Sequence, residues 1–213
     1  MRSPSKTLSM LALLRHLVIL DSSIDIEVMP EVYSPSDDSY MLLRAIRLSP
    51  GQSLLEVGCG SGLIAVHAAK LGADVTAVDI NPNAVECTRQ NAIRNRARVL
   101  ARESDLFQNV TGYFDVIAFN PPYLPTEARS TSWIEKSWSG GEEGSETAIS
   151  FLKDAWRHLA PGGNVYLVLS SIGGLMSVLK AAKEKYECEM LEEMHQFFES
   201  VYTYRLWPRH FQD

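Results

Sequence analysis

The chain has few cysteines, and they show neither a disulfide pattern nor a metal-binding pattern. Cys59, Cys87 and Cys188 are far apart, and no Cys-x-x-Cys pair or Cys/His cluster accompanies them. Disulfide frameworks and structural zinc sites are typically built from more numerous or closely spaced cysteines, so neither is expected. The cysteine usage therefore predicts a protein of the reducing cytoplasm without a bound metal.

The sequence also lacks an excess of basic residues and an apolar run of membrane-spanning length. Lys and Arg number 20 against 26 Asp and Glu, so the formal net charge is −6. A negative chain has no general attraction for phosphate backbones, which disfavours duplex nucleic acid as a partner. The apolar run 8–20 contains Arg15 and His16, is too short to cross a bilayer and precedes no cleavage pattern. It predicts an amphipathic helix packed on the domain, and no membrane partner is expected.

Strands and helices are predicted to alternate along the chain. With 213 residues, 46% of them hydrophobic, and no internal repeat or linker, one α/β domain over 31–213 is expected after an N-terminal helical extension over 1–30. Alternation of this kind is typical of a doubly wound, mostly parallel sheet. The predicted strands are 53–57, 74–78, 97–102, 114–119 and 164–169, with 200–207 as a final edge strand. The predicted helices are 40–48, 63–71, 82–95, 148–159, closed by 161–163, and 175–186.

A glycine-rich turn follows the first predicted strand. The segment 56–62 reads Glu-Val-Gly-Cys-Gly-Ser-Gly and leads directly into a predicted helix. Glycines let the backbone approach a ligand closely, and the helix start offers free N–H groups, so a nucleotide-like ligand is expected. Leu63 stands where the dinucleotide pattern requires its third glycine, and no phosphate-binding lysine follows. NAD and ATP chemistry are therefore disfavoured.

Acidic residues follow the next two predicted strands. Asp79 lies 21 residues after Gly58, and an acid at this place in doubly wound sheets reaches ribose hydroxyls. The alternative role for Asp79 or Asn81 is to cap the next helix. Asp105 could accept a hydrogen bond from an adenine amino group, with the Leu106 N–H donating to the ring, or it could simply be a loop aspartate.

The tetrapeptide Asn120-Pro121-Pro122-Tyr123 follows the strand predicted over 114–119. The nitrogen of a planar amide or aromatic amine is a poor nucleophile because its lone pair is delocalised. The side-chain oxygen of Asn120 and a prolyl carbonyl are two acceptors that could hold both hydrogens of such an NH2 group, while Tyr123 stacks on its plane. The simpler interpretation is a turn that ends the strand.

Two further segments accompany this tetrapeptide. Residues 32–39, Val-Tyr-Ser-Pro-Ser-Asp-Asp-Ser, contain Ser36 and Asp37, either of which could cap the following helix. Residues 124–147 are rich in Trp and Gly and show little periodicity, which is typical of a substrate-facing loop. Its acidic residues Glu142, Glu143 and Glu146 form either a solvated face or an attraction for a basic partner.

Together, the 56–62 turn, Asp79, Asp105-Leu106 and Asn-Pro-Pro-Tyr resemble a class I S-adenosylmethionine-dependent methyltransferase of the amino-methylating type. Tyr33-x-Pro-x-Asp-Asp-Ser39 and Trp138-Ser-Gly-Gly-x-x-Gly144 resemble signatures of HemK-like glutamine methyltransferases of the archaeal and eukaryotic kind. The resemblance covers about residues 32–207. It implies a Rossmann-like, seven-stranded sheet with an antiparallel edge strand. It also implies methylation of the side-chain amide nitrogen N5 of the glutamine in the Gly-Gly-Gln motif of class 1 translation release factors.

The resemblance also implies roles for individual residues. The family's commoner motif is Pro-x-Glu-Asp-Thr, from which this sequence departs at Asp37 and Ser39. The implied catalytic residues are Asn120, Pro121, Pro122 and Tyr123. The implied contacts of S-adenosylmethionine are Tyr33, Asp37, Ser39, Cys59, Ile80 and Asn120, with Glu56, Gly58, Gly60 and Gly62 at the methionine part, Asp79 at the ribose, and Asp105 and Leu106 at the adenine.

Several alternatives remain open at this point. Asn-Pro-Pro-Tyr also suits the exocyclic amine of adenine N6 or guanine N2 in a flipped base, although the chain has no additional recognition domain. Protein lysine methylation is another alternative, as is a cofactor-binding module that has lost activity. Eukaryotic and archaeal members of the family often work with a small zinc-binding activator subunit, so such a partner is expected beside a release factor.

Overall fold

A computed structural model describes residues 21–126 and 132–209 of the chain. The helix predicted over 8–20 lies outside the described residues. The strands are β1 Ser53–Val57, β2 Asp74–Asp79, β3 Val99–Glu103, β4 Phe114–Phe119, β5 Leu159–Ser170, β6 Tyr186–His195 and β7 Ser200–Pro208. The helices are α1 Asp37–Ala45, α2 Leu63–Lys70, α3 Pro82–Arg94, α4 Trp133–Lys136, α5 Glu146–Ala155 and α6 Leu175–Ala182, with a 3-10 turn at Trp156–His158.

The strands form one seven-stranded sheet in the order β3-β2-β1-β4-β5-β7-β6. The first five strands of this order are parallel to one another, whereas β7 is antiparallel to both β5 and β6. Successive strands are added in one direction from β1 to β3 and in the other from β4. Ligands bind at such a reversal, beyond the carboxyl ends of the strands. The predicted α/β fold is confirmed, and it places the turns after β1, β2 and β4 at a single edge.

Buried side chains cover both faces of the sheet. Leu54 and Val116 pack on one face with apolar side chains of α1, α2 and α3. Their neighbours Leu55 and Ile117 pack on the other face with α5 and α6. Adjacent residues of a strand point to opposite faces, and here both faces are apolar. This is why the central strands read as continuous apolar runs in the sequence.

The tail of the chain differs from its predicted place. Residues 200–207 form an antiparallel strand, but β7 lies between β5 and β6, and the prediction that it is the edge strand is wrong. The true edge, β6, begins at Tyr186, the last residue of the helix predicted over 175–186, and no strand was predicted over the rest of it. Apolar residues alternate with glutamates only in the first half of β6, up to Met190, and an irregularity between Met190 and Glu192 interrupts the pattern. One of these glutamates, Glu189, accepts a hydrogen bond from Arg205 of β7 at 2.7 Å.

The segment Pro161-Gly162-Gly163 does not close a helix as predicted, because it lies within β5. Helix α5 ends earlier, at Ala155. The register of β5 against β4 shifts between Phe114 and Val116. A Cβ atom on Gly163 would lie 2.9 Å from the carbonyl oxygen of Phe114. Gly163 therefore allows β4 and β5 to approach closely where their register is irregular. In the sequence alone, a glycine in this role looks like a turn residue.

The chain before α1 is attached to α3 by asparagine side chains. Asn95 accepts from the N–H of Asp25 at 2.8 Å and donates to its carbonyl at 2.7 Å. Asn91 makes the same pair of contacts with Glu27, at 3.0 and 2.7 Å. These bonds lead the chain past α3 towards Tyr33. The domain boundary at residue 30 stays a prediction. Within the described ranges, the helices are all too short or too polar to cross a membrane.

Candidate active site

A cavity of about 760 Å³ opens at the carboxyl ends of the parallel strands. Most of the candidate site residues predicted from the sequence line this cavity. Of those residues, the cavity is lined by Tyr33, Ser39, Glu56, Gly58, Cys59, Gly60, Asp79, Ile80, Asp105, Leu106, Asn120, Pro121, Pro122 and Tyr123. Asp37 and Gly62 are not part of the lining.

Backbone N–H groups of the glycine-rich turn form hydrogen bonds with the end of β2. The N–H of Cys59 donates to the carbonyl of Val78 at 3.0 Å, and the N–H of Gly60 donates to Asp79 Oδ2 at 2.9 Å. Gly62, for which a ligand contact was predicted, does not line the cavity and packs against α3. It begins α2 with φ +79°, and a Cβ atom there would lie 2.9 Å from the side chain of Thr88. Its smallness permits close packing of the turn on α3.

Asp79 faces the cavity, and the helix-capping role belongs to its neighbour. Asn81 is the N-cap of α3, since its side chain accepts from the N–H of Asn83 at 2.9 Å. Asp79 instead accepts from the N–H groups of Gly60 and Asn81. Burial raises its pKa, and these backbone donors oppose that rise. The carboxyl group is thus fixed at the cavity wall beside Ile80.

Leu106 has an unusual backbone conformation at the predicted adenine contact. Its φ angle is +47°, a region that β-carbon-bearing residues seldom adopt. Ser104 fixes this turn, because its hydroxyl donates to the carbonyl of Leu106 at 2.8 Å and accepts from the N–H of Asn109 at 2.9 Å. Strained backbone of this kind is concentrated at functional sites.

Asn120 has one satisfied and one unsatisfied side-chain atom. Its Nδ2 donates to Asp38 Oδ2 at 3.0 Å. A carboxylate only accepts, so this contact fixes which side of the amide is nitrogen. Its Oδ1 is buried and has no hydrogen-bond partner among the described residues. Because buried acceptors are rarely left unpaired, Oδ1 is positioned for a donor on a bound molecule.

Asp38 is the functional residue that the sequence reasoning missed. Besides Asn120, it accepts from the Ser36 hydroxyl at 2.6 Å, the Ser39 N–H at 2.6 Å and the Tyr33 hydroxyl at 3.3 Å. Asp37, which was assigned to the cofactor pocket, is exposed instead. Consecutive residues in the first turn of a helix point about 100° apart, so one of the two faces the cavity. The signal was available, since Asp38 matches the family's Pro-x-Glu-Asp-Thr motif where Asp37 departs from it.

Two tyrosines border this carboxylate. Burial, together with the negative charge of Asp38, raises the pKa of Tyr33 to about 12. The pKa of Tyr123 is raised for the same reasons. Both phenols are therefore neutral donors at physiological pH. The Tyr123 hydroxyl lies 3.5 Å from Asp38 Oδ2, which is a weak contact, and its ring remains part of the cavity wall.

The glycines of the Trp-Ser-Gly-Gly signature pack against the backbone of the Asn-Pro-Pro-Tyr segment. A Cβ atom on Gly140 would lie 2.7 Å from the carbonyl oxygen of Pro122, and one on Gly144 would lie 2.4 Å from that of Tyr123. Gly173, in the turn after β5, is equally close to Tyr123. The signature thus holds the tetrapeptide in place through close backbone contact.

This packing predicts that Gly144→Ala damages both stability and activity. The alanine would adopt φ +77° and would meet the Tyr123 carbonyl, so we expect the free energy of unfolding to fall by about 2 kcal/mol or more. Gly162→Ala is the matched control, since Gly162 has a similar φ of +80° but no neighbour within 4 Å. Thermal unfolding and methyl-transfer rates should separate the two variants. Equal effects of both substitutions would contradict this role of Gly144.

Glu56 is a buried carboxyl group in the cavity wall. Burial raises its pKa well above the ordinary value of 4.5, although the N–H of Ala65 donates to its Oε2 at 2.8 Å. An acid whose pKa is raised by folding destabilises the folded protein increasingly as the pH rises above its unfolded value. A ligand that carries a positive charge would compensate for this cost.

We therefore expect Glu56→Gln to stabilise the cofactor-free protein at pH 8 more than at pH 5. The same substitution should weaken cofactor binding by about tenfold or more, because it removes a charged acceptor. Melting temperatures at the two pH values, combined with calorimetric titration, measure both effects. A variant that is less stable than the parent at pH 8 would contradict the assignment.

The loop after β4 contributes to the cavity, as predicted. Trp133, Lys136 and Trp138 are among its lining residues. Glu31 anchors the start of α4, because its carboxylate accepts from the N–H of Trp133 at 3.0 Å. Within the acidic run, Glu142 and Glu143 are exposed. Glu146 is exposed as well, and its carboxylate accepts from the backbone N–H groups of Glu143 and Ser145, at 3.0 and 2.9 Å.

The lining residues fit S-adenosylmethionine. The carboxyl groups of Glu56 and Asp79 can accept from an ammonium group and from ribose hydroxyls, while Ile80 and Leu106 offer apolar surface for a flat ring. Gly60 leaves open space, since the nearest atom to a Cβ there would be 3.9 Å away. Fold and site together define a class I methyltransferase that uses this cofactor.

The family model described as the methyltransferase small domain matches residues 29–199, and the chain belongs to this family and to its HemK-like group of glutamine methyltransferases. A protein of Methanocaldococcus jannaschii named as a protein N5-glutamine methyltransferase is 36% identical over 195 residues, which cover 90% of this chain and 99% of that protein. Methyltransferase HEMK2 of Mus musculus is 33% identical over 169 residues, covering 73% and 79%.

Solved structures show the same fold. The Mtq2–Trm112 complex of E. cuniculi, responsible for methylation of the eRF1 translation termination factor, contains a chain with a TM-score of 0.66 and 23% identity. The match covers 84% of this chain and 99% of that one. A methyltransferase of Pyrococcus furiosus has a TM-score of 0.67 and 26% identity over 93% of this chain and 94% of its own.

Proposed function

We propose that this protein transfers a methyl group from S-adenosylmethionine to the side-chain amide nitrogen N5 of the glutamine in the Gly-Gly-Gln motif of a class 1 translation release factor. The buried Oδ1 atom of Asn120 carries the proposal. It is an unpaired acceptor at the cavity, and the contact of Nδ2 with Asp38 fixes its orientation. Such an acceptor suits a donor NH2 group, which a glutamine amide supplies.

The chain's own residues act mainly by positioning. When bound, S-adenosylmethionine supplies a methyl group on a positively charged sulfur. Asn120 Oδ1 would accept one hydrogen of the substrate amide, the carbonyl of Pro121 the other, and the ring of Tyr123 would lie against the amide plane. Held in this way, the nitrogen lone pair is directed at the methyl carbon. Methyl transfer would form the N–C bond as the S–C bond of the cofactor breaks, and the amide nitrogen would lose its proton late, to water.

The relatives support a glutamine as acceptor. Proteins that are 36% and 33% identical are named as a protein N5-glutamine methyltransferase and as HEMK2, and the Mtq2 neighbour is described as methylating a translation termination factor. Bacterial proteins named as release factor glutamine methyltransferases also match, for example at 36% identity over 65% of this chain. The proposed acceptor therefore agrees with the geometry at Asn120, and a translation factor as substrate supports a cytoplasmic location for the activity.

A small zinc-binding activator subunit is part of the proposal. The Mtq2 neighbour is a complex with Trm112. In this chain, β3 is an edge strand, and the side chain of Leu100 on it is about half exposed. Ile93, on the helix α3 that precedes β3 in the chain, is largely exposed as well. These apolar side chains are suited to burial under such a partner.

The experiment is incubation of the protein with labelled cofactor, a recombinant release factor and total RNA in one reaction. The activator subunit is supplied in a parallel reaction. Peptide mass spectrometry should find the label in the Gly-Gly-Gln peptide. Label confined to RNA would instead support methylation of a base amine, and label on a lysine would support lysine methylation.

A further inference from the structure

Two phenylalanines are almost fully exposed at the turn between β6 and β7. Phe197 is 99% exposed and Phe198 92% exposed. Apolar rings of this size are usually buried, and exposing two of them side by side is unfavourable unless another molecule covers them. We call residues 196–199 the FF turn.

Hydrogen bonds on both sides hold the FF turn in shape. The N–H of Gln196 donates to the carbonyl of Glu199 at 2.8 Å, which closes the turn. Ser200 is bound to Ser171 through two contacts of 2.9 Å, one from its N–H and one to its carbonyl. The Glu199 side chain accepts from the hydroxyl of Ser170, at the end of β5. The two rings are therefore presented by an ordered hairpin.

The FF turn borders the active site. Glu199, the residue after Phe198, is part of the cavity wall. Burial chiefly raises the pKa values of Tyr33 and Tyr123, and the charge of Glu199 adds to both shifts. Phe197 and Phe198 directly precede this wall residue in the chain, and neither of them lines the cavity that contains Asn120. When the methyl-accepting group of a substrate enters the cavity, the substrate surface around that group would contact Phe197 and Phe198.

The charge around the FF turn is mainly negative. Glu192, Glu193 and Glu199 lie on or beside it, and Asp38 adds a further carboxylate inside the cavity. Arg44 is paired with Glu192 at 3.1 Å. A partner that carries apolar side chains and basic residues is complementary to this surface. A phosphate backbone is not.

We propose that the FF turn is the docking surface for the protein that carries the acceptor amide. The occupant is a basic protein surface that places apolar side chains on Phe197 and Phe198 while its glutamine reaches Asn120. This inference rests on the proposed function. It adds a second point of contact outside the cavity, which would favour a folded protein substrate over an isolated amide.

The test uses the double variant Phe197→Ser/Phe198→Ser of the full chain, together with the activator subunit if activity requires it. Steady-state kinetics with an intact release factor should give a KM at least tenfold higher, with kcat within twofold and an unchanged Kd for S-adenosylmethionine. Tyr113→Ser is the matched control, because Tyr113 is 71% exposed and precedes β4, at the amino ends of the parallel strands and so at the opposite end of the sheet from the cavity. It should leave KM unchanged. If the double variant does not fold, Phe197→Ser alone should show the same direction of change.

Each other outcome overturns the inference. An unchanged KM, or a fall in kcat at constant KM, would show that the FF turn does not bind the substrate protein. A parent protein that is dimeric in light scattering, with a monomeric double variant, would assign the surface to a second copy of the chain. A parent protein without activity on release factor contradicts the proposed function itself, whereas an active parent with an unaffected double variant contradicts the docking surface alone.

Discussion

Asn120→Ala should lower kcat for methyl transfer by about 10²–10³-fold while changing the Kd of S-adenosylmethionine by no more than about threefold. The substitution removes the buried Oδ1 acceptor that would orient the amide nitrogen, and the loss of one preorganised transition-state contact typically has an effect of this size. Single-turnover rates and calorimetric titration measure the two quantities separately.

Asn164→Ala is a suitable control for this prediction. Asn164 lies in the middle of β5 and does not line the cavity, and its side chain donates a hydrogen bond to the nearby carbonyl of Gly162 at 3.1 Å. It should retain the parent rate. An Asn120→Ala protein that is folded and turns over at the parent rate would refute the role given to the tetrapeptide.

Asp38→Asn should lower kcat by about 10–100-fold, the second largest effect expected. Asp38 accepts from Asn120, Ser36 and Ser39, and an amide in its place offers one acceptor oxygen and a competing donor. Asn120 would then lose the contact that fixes its orientation. Asp38 is a positioning residue in this account, so kcat should fall more than cofactor affinity does.

The adjacent Asp37→Asn is the matched control, because it makes the same chemical change one residue away. Asp37 is exposed and outside the cavity lining, so its substitution should leave kcat within about twofold of the parent value, as exposed sites usually do. If Asp37→Asn were the impaired variant and Asp38→Asn the active one, the assignment of the two carboxylates would be reversed.

Much of the central sheet could be predicted because each central strand is a short apolar run bounded by glycine or polar residues. Ser53–Val57 and Phe114–Phe119 agree with their predicted ranges at both ends. In a doubly wound sheet, residues that follow such strands meet at one edge, so Asp79 and Asn120 could be assigned to one site before any coordinates. The apolar runs of the strands and the positions of the residues that follow them were sufficient for this prediction.

Features that depend on tertiary contacts could not be predicted in this way. Asp37 and Asp38 are the same residue type side by side, so residue type and period do not distinguish them; only the match of Asp38 to the family motif did, and the packing of α1 directs Asp38 to the cavity. Gly62 resembles Gly58 and Gly60, which line the cavity, but its proximity to Thr88 reveals a packing role. The position of β7 inside the sheet depends on pairing with β6, an edge strand whose apolar alternation is interrupted between Met190 and Glu192.

The most direct test of the central claim is to identify the atom that receives the methyl group. A release factor with ¹⁵N-labelled glutamine side chains can be incubated with this protein and S-adenosylmethionine carrying a ¹³C methyl group, followed by NMR of the product. The account predicts a new methyl carbon coupled directly to the side-chain nitrogen of the Gly-Gly-Gln glutamine. A methyl signal coupled to no glutamine nitrogen, from an active enzyme, would contradict it.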